Sequence, residues 1–169
     1  LFATASNEKN VIKGGIYYTY NINNYLQYDN TVAKRQWDSI AMNGNASKII
    51  SLPSNIIPNI YCHLGSGWNP TNSIDTTVFL WQKAVVSSDG SFLVALAKNG
   101  YTRYITESPS NTWSSKYILP SGSTTNVGGL AMSSNASIIY WGKDGGKIFY
   151  SIDKFSNLLE LTSSPSALW

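Results

Sequence analysis

Apolar and polar positions alternate in short bursts along this chain, and the bursts repeat. Three segments superpose: Ile40-Ala-Met-Asn-Gly-Asn-Ala-Ser47, Ala84-Val-Val-Ser-Ser-Asp-Gly-Ser91 and Leu130-Ala-Met-Ser-Ser-Asn-Ala-Ser137. Each is a short apolar run followed by a small polar turn ending in serine, and their starts lie 44 and 46 residues apart. A second apolar run follows each turn: residues 48–52, 92–96 and 138–141, with 1–5 as a matching element. Next comes a hairpin signal, Lys98-Asn-Gly100, Lys143-Asp-Gly-Gly146 or Lys13-Gly-Gly15, with 54–58 as the divergent copy. Asn-Gly and Asp-Gly favour tight hairpins because the turn needs positive φ. A third run then reads 16–20, 59–62, 101–105 and 147–151, and a polar corner leads into a looser fourth segment.

Runs this short, rich in β-branched and aromatic residues, predict strands. The nearest approach to a helical period, residues 31–41, falls in a connector. Four strands per unit of about 40–45 residues is the pattern of a propeller blade, so the expected fold is an all-β propeller of four-stranded antiparallel blades. The approximate blades are 1–37, 38–81, 82–127 and 128–169. Trp37 and Trp81 open the repeat, Val127 stands in the third copy, and Trp169 falls at the matching place for a fourth. Recurrence at one repeat position favours packing between blades over ligand contact for these tryptophans. Strand one occurs three times and strands two, three and four occur four times each. One innermost strand is therefore missing, which predicts a segment of a larger propeller or a ring completed by another chain.

The polar corners align as Thr19-Tyr-Asn-Ile-Asn-Asn-Tyr-Leu26, Thr106-Glu-Ser-Pro-Ser-Asn-Thr-Trp113 and Ser151-Ile-Asp-Lys-Phe-Ser-Asn-Leu158, with a shorter copy at Cys62-His-Leu-Gly-Ser-Gly-Trp68. Together with the run from Trp81 to Ser91, they resemble the Asp-box corner of the BNR (sialidase-type) repeat propellers, whose pattern is S-x-D-x-G-x-x-W. The acidic position holds Asp153 once and is replaced by Asn21 and Ser108 elsewhere; the glycine is absent from all three full-length corners. A short acceptor side chain there can bond turn amides, and the final Trp113 or leucine is expected to plug the gap between sheets. The resemblance implies that these corners lie opposite the binding face.

Composition narrows the function. Of 169 residues, 43% are apolar and 13% aromatic, which excludes a disordered chain. No apolar run reaches the length of a membrane span. A formal charge of +3 without a basic cluster gives little support for nucleic-acid binding. Charged residues are only 12%, while 17 Asn and 24 Ser supply a neutral hydrogen-bonding surface. A sialidase, as the resemblance implies, clamps its substrate carboxylate with an arginine triad; this chain has only Arg35 and Arg103, too few to build one. Other glycosidases need two facing carboxylates. Asp29, Asp38, Asp75 and Asp144 are scattered through connectors. The lone Cys62 and lone His63 are neighbours on a strand and point to opposite sides, so they form no catalytic pair.

The expected reading is therefore a non-enzymatic binding protein without a cofactor or metal. Neutral polar groups beside flat aromatic faces suit sugars, which present hydroxyls and an apolar C–H face. Lectin-like members of the resembled family agree, so a glycan or glycoprotein is the expected partner. Trp141, Tyr101, Arg103 and Asp144, which do not recur between blades, are the candidate ligand contacts. A structural or adhesion component of an extracellular assembly is the alternative. Asn45-Ala46-Ser47 and Asn135-Ala136-Ser137 are N-glycosylation sequons in equivalent turns. They point to a secreted or surface protein glycosylated at Asn45 and Asn135, with the opposite face left for ligand.

Overall fold

A computed structural model of the chain describes residues 2–4, 16–18, 27–28, 37–54, 60–63, 68–71, 80–99, 101–106, 114–118 and 126–167. All of their regular structure is β, in four antiparallel sheets with no helix among the described residues. The first sheet contains β1 (Phe2–Thr4), β2 (Ile16–Tyr18) and β3 (Gln27–Tyr28). The second contains β4 (Trp37–Met42), β5 (Ile49–Pro53), β6 (Ile60–His63) and β7 (Trp68–Thr71). The third is β8 (Trp81–Val86), β9 (Phe92–Ala97), β10 (Tyr101–Thr106) and β11 (Ser114–Tyr117). The fourth is β12 (Val127–Met132), β13 (Ile139–Lys143), β14 (Ile148–Ser151) and β15 (Leu159–Glu160).

Each sheet pairs its strands in chain order, the meander of a propeller blade. Among the described residues the first blade has three strands and the others four. The opening strands stack from blade to blade, β4 on β8 and β8 on β12. Each opening strand also carries the same irregularity: the pairing register slips between Trp37 and Ser39, Trp81 and Lys83, and Val127 and Gly129. The extra residue bends the strand after its first side chain, so Asp38, Gln82 and Gly128 stand outside the ladder.

Blade-to-blade packing holds the array together. Ile16 of the first blade meets Trp37 and Tyr61 of the second, the two rings edge to face at 5.4 Å. Ile50, Leu52, Ile60 and Cys62 of the second blade pack with Trp81, Leu93 and Ala95 of the third. Phe92, Val94 and Leu96 on the other side of β9 meet Val127, Ile139, Trp141 and Phe155 of the fourth. Trp37 and Trp81 are thus packing residues between blades. Period-two alternation explains the arrangement: successive residues of β9 point to opposite neighbours, and every residue from Phe92 to Ala97 is sealed.

The turns after β4, β8 and β12 share one hydrogen-bond plan. The Asn43, Ser87 or Ser133 side chain accepts from the N–H five residues on, at 2.9 Å in all three. Asn45, Asp89 and Asn135 each accept from the N–H two residues on, at 3.1, 2.9 and 3.1 Å. The residue between has positive φ: Ala46 at 57°, Gly90 at 75° and Ala136 at 56°. These bonds reward short acceptor side chains, which is why Asn, Ser and Asp recur there.

Candidate functional site

Strand direction sorts the connections onto two faces. One carries the turns just described and the corner after β14; the other carries the hairpins β9–β10 and β13–β14 and the approaches to β4, β8 and β12. On the second face, Lys98 N–H donates to the Leu80 carbonyl at 2.8 Å and Asp144 N–H to the Asn126 carbonyl at 2.8 Å, extending the β8–β9 and β12–β13 ladders. Val127 N–H donates to the Lys98 carbonyl at 2.9 Å and joins the fourth blade to the third. Leu80, Lys98, Asn99, Asn126 and Asp144 are thereby gathered on one surface between the third and fourth blades. Leu80 is 47% exposed, the most exposed large apolar side chain of this face among the described residues. Asn99 turns its Oδ1 inward to accept from Tyr101 N–H at 3.1 Å.

Two further groups belong to this face through the bulges, and sequence spacing did not single them out for binding. Asp38, beside Trp37, has its carboxyl pushed above its ordinary value by burial, with the Lys83 ammonium on the adjacent blade opposing that shift. Gln82, beside Trp81, has its Oε1 buried with no hydrogen-bond donor among the described residues. Both effects come from the inserted residue, and a bulge leaves no mark in an apolar-polar pattern.

The sequence-derived candidates separate. Asp144 lies on the second face, half-buried in its hairpin. Arg103 sits in mid-strand, paired with Ala95 and Ser115. Trp141 and Tyr101 do not offer a ring to a ligand, which corrects their reading as contacts. Trp141 is 1% exposed, stacked on Phe149 at 6.1 Å and packed against Phe155 at 5.8 Å. Tyr101 is buried against Trp81 at 6.4 Å. Both are core side chains because their strand positions face a neighbouring blade rather than a connection.

The corner motif is described in the fourth blade; Asn21, Ser108 and Trp113 lie outside the described residues, as does Trp169. Asp153 Oδ1 accepts from Asn157 N–H at 2.8 Å and from Ser151 Oγ at 2.8 Å, while Oδ2 accepts from Asn157 Nδ2 at 2.6 Å. Ser151 Oγ in turn accepts from Phe155 N–H at 2.9 Å. The plug is a correction to expectation. Leu158 is 36% exposed, and Phe155 fills the gap between blades. Phe155 stands where the Asp-box pattern has glycine, and its φ of 70° keeps the glycine-like backbone. Its ring reaches Phe92 at 6.3 Å.

Asn45 and Asn135 are exposed on the turn face. Between the turns of the third and fourth blades, Ser88, Asp89, Ser134 and Asn135 line an open cleft of about 260 Å³. Asp89 is held at about 2, below its ordinary 3.8, by the Ser91 N–H and the Ser87 hydroxyl. Cys62 is sealed and its thiol is pushed up to about 12 by burial. Among the described residues, no three His, Cys, Asp or Glu side chains come together as a metal site, and no helix is long and apolar enough to cross a membrane.

No family model matches the chain, and neither does any curated protein. Solved structures do. The chain is similar to YCF48 in its structure bound to D1 peptide (TM-score 0.64, 16% identity, 87% of this chain and 46% of that one). It is also similar to the Dos1 propeller (0.61, 12%, 94% and 42%). The β-propeller domain of Cps50 (Swd1) from Myceliophteria thermophila gives 0.60 at 6% identity, over 87% and 52%. These likenesses establish the fold class: a partial β-propeller. The chain spans about half the length of the propellers it matches.

Proposed function

We propose that this chain is part of a non-catalytic binding propeller that recognises carbohydrate, on a secreted or surface protein, through the face bearing Leu80, Gln82, Asn99, Asn126 and Asp144. The observation that carries this reading is Gln82 Oε1, a buried neutral acceptor with no donor among the described residues. A buried acceptor gains most from a donor supplied by a ligand. The Asn99 and Asn126 amides and the Asp144 carboxylate on the same face match the hydroxyl-rich edge of a sugar. With Trp141 and Tyr101 buried, no ring of theirs is available for stacking, so recognition rests on hydrogen bonds and on Leu80. Affinity per site is then expected on the order of millimolar, raised where several sites act together.

A glycan array followed by NMR titration of the best sugar tests this. Asp144→Ala and Gln82→Leu are expected each to weaken binding at least about fivefold while the β-sheet spectrum is kept. Absence of binding across the sugar classes, or binding that neither substitution changes, would sink the reading.

A further inference from the structure

The chain contains two Asn-Gly steps, Asn43-Gly44 and Asn99-Gly100. At such a step the glycine nitrogen can attack the asparagine Cγ with no side chain of its own in the way. A five-membered succinimide ring closes and the amide nitrogen leaves as ammonia. In a folded chain the rate depends on what holds the attacking and leaving groups, and the two steps are held in opposite ways.

Asn43 is 3% exposed. Its Nδ2, the leaving group, donates to Asn45 Oδ1 at 2.8 Å and to Ser47 Oγ at 3.1 Å. Its Oδ1 accepts from Lys48 N–H at 2.9 Å. The attacking atom is tied as well, because Gly44 N–H donates to the Ser88 carbonyl of the next blade at 2.9 Å. Reaction there has to wait for the turn to open and the bond between blades to break. Asn99, by contrast, is exposed in the β9–β10 hairpin. Only its Oδ1 is bonded among the described residues, accepting from Tyr101 N–H at 3.1 Å. That bond favours the reaction. The carboxamide oxygen gathers negative charge as Cγ becomes tetrahedral, and an N–H already aimed at it stabilises that charge. The donor is also fixed in place, since Tyr101 is 6% exposed and packed against Trp81.

We propose that Asn99 is a self-modification site, converted through a succinimide to aspartate and isoaspartate while Asn43 of the same folded chain stays intact. Water is the one co-reactant. The bond from Gly100 N to Asn99 Cγ forms, the Cγ–Nδ2 bond breaks, and Nδ2 leaves as ammonia with the proton given up by Gly100 N. Water then opens the ring at either carbonyl, and nothing is oxidised or reduced. Opening at one carbonyl gives aspartate. Opening at the other gives isoaspartate, which routes the backbone through the former side chain and lengthens the hairpin by a methylene. Both products exchange a neutral amide for a carboxylate on the surface that carries Asp144, and lower the formal charge of +3 by one. The inference goes beyond the carbohydrate reading and does not depend on it.

Incubation of the purified chain in mildly alkaline buffer, sampled over time by peptide mapping, tests it. Methyl transfer by an isoaspartyl methyltransferase identifies the isoaspartate. In the folded chain Asn99 is expected to convert at least about tenfold faster than Asn43, whereas in denaturant, where neither is held, the two should agree within about twofold. Asn99→Gln is expected to remove the more acidic species seen on isoelectric focusing, because its longer side chain would have to close a six-membered ring. Circular dichroism checks that this variant keeps its sheet; the comparison of the two asparagines within the unaltered chain stands whether it does or not. An Asn99 that stays intact in the folded chain, or an Asn43 that converts there as fast as Asn99, would overturn the proposal.

Discussion

The Ser88 N–H donates to the Ser134 carbonyl at 2.7 Å and joins the turn of the third blade to that of the fourth. The Gly44 N–H repeats the contact one blade earlier, reaching the Ser88 carbonyl at 2.9 Å. Lys48 Nζ adds a bond to the Gly90 carbonyl at 3.0 Å. Three turns that are each closed by local bonds are thus also linked to one another around one face.

Gly90 is where this linkage is least tolerant. Its φ is +75°, and a Cβ there would stand 2.9 Å from both Asn43 Nδ2 and Lys48 Cδ. We predict that Gly90→Ala destabilises the chain by about 2 kcal/mol, combining left-handed strain with that overlap. Ala46→Gly, which relieves the same strain in the second blade, should be neutral or slightly stabilising. Denaturant midpoints compare the two, and an innocuous Gly90→Ala would show that the turns do not interlock.

Acid should loosen the middle turn before its neighbours. Asp89 is depressed from 3.8 to about 2 in the folded chain, so its contribution is complete above about pH 4 and is lost as pH falls towards 2. Asn45 and Asn135 hold the equivalent turns through an amide oxygen that does not titrate in this range. We predict that Asp89→Asn keeps the turn and removes this part of the acid sensitivity. Unfolding curves at pH 4 and pH 2 for both proteins check it; identical pH slopes would count against the assignment.

Phe155, not Leu158, closes the fourth blade onto the third. Phe155→Ala should cost about 3–5 kcal/mol through the cavity left between Phe92 and Trp141, and Leu158→Ala less than about 1 kcal/mol. Phe155→Gly relieves the positive φ and should recover only part of the loss, because the missing ring outweighs the strain. A larger effect from Leu158→Ala would reverse this assignment.

Cys62, sealed and with its thiol raised to about 12, should resist a thiol reagent at neutral pH while the chain is folded and react fully on unfolding. Titration with a chromogenic disulfide in buffer and in denaturant measures both states. Rapid labelling of the folded chain would mean that the second and third blades separate readily.

The two sequons give a prediction for the turn face. Asn45 and Asn135 are exposed, and their Oδ1 atoms already serve the turns. We predict glycans on both when the protein passes through a eukaryotic secretory pathway, and a third after Asp89→Asn, since Gly90 and Ser91 complete a sequon there. Peptide mapping reads occupancy, and unmodified Asn45 and Asn135 in such material would refute it.

The three turns were legible in the sequence because their bonds run between residues at most five apart, so the short acceptors repeat visibly. Trp37 and Trp81 were legible as packing for a similar reason, recurring at one register. Trp141 and Tyr140 were not. They are adjacent aromatics on one strand, and which of them points inward depends on whether another blade covers that face. Phe155 was hidden because an aromatic residue at positive φ breaks the local rule and is held by contacts with Phe92 and Trp141. Asp38 and Lys83, 45 residues apart, come within electrostatic reach through the stacking of opening strands, which no local pattern encodes.

The strand from Phe92 to Ala97 has no solvent side, since alternate residues are claimed by the second and fourth blades. The third sheet therefore acts as the keystone of an arch and cannot be wetted until a flanking sheet has peeled away. Amide exchange should accordingly be slowest in β9 and faster towards both ends of the chain, a graded loss of structure rather than four equal and independent meltings.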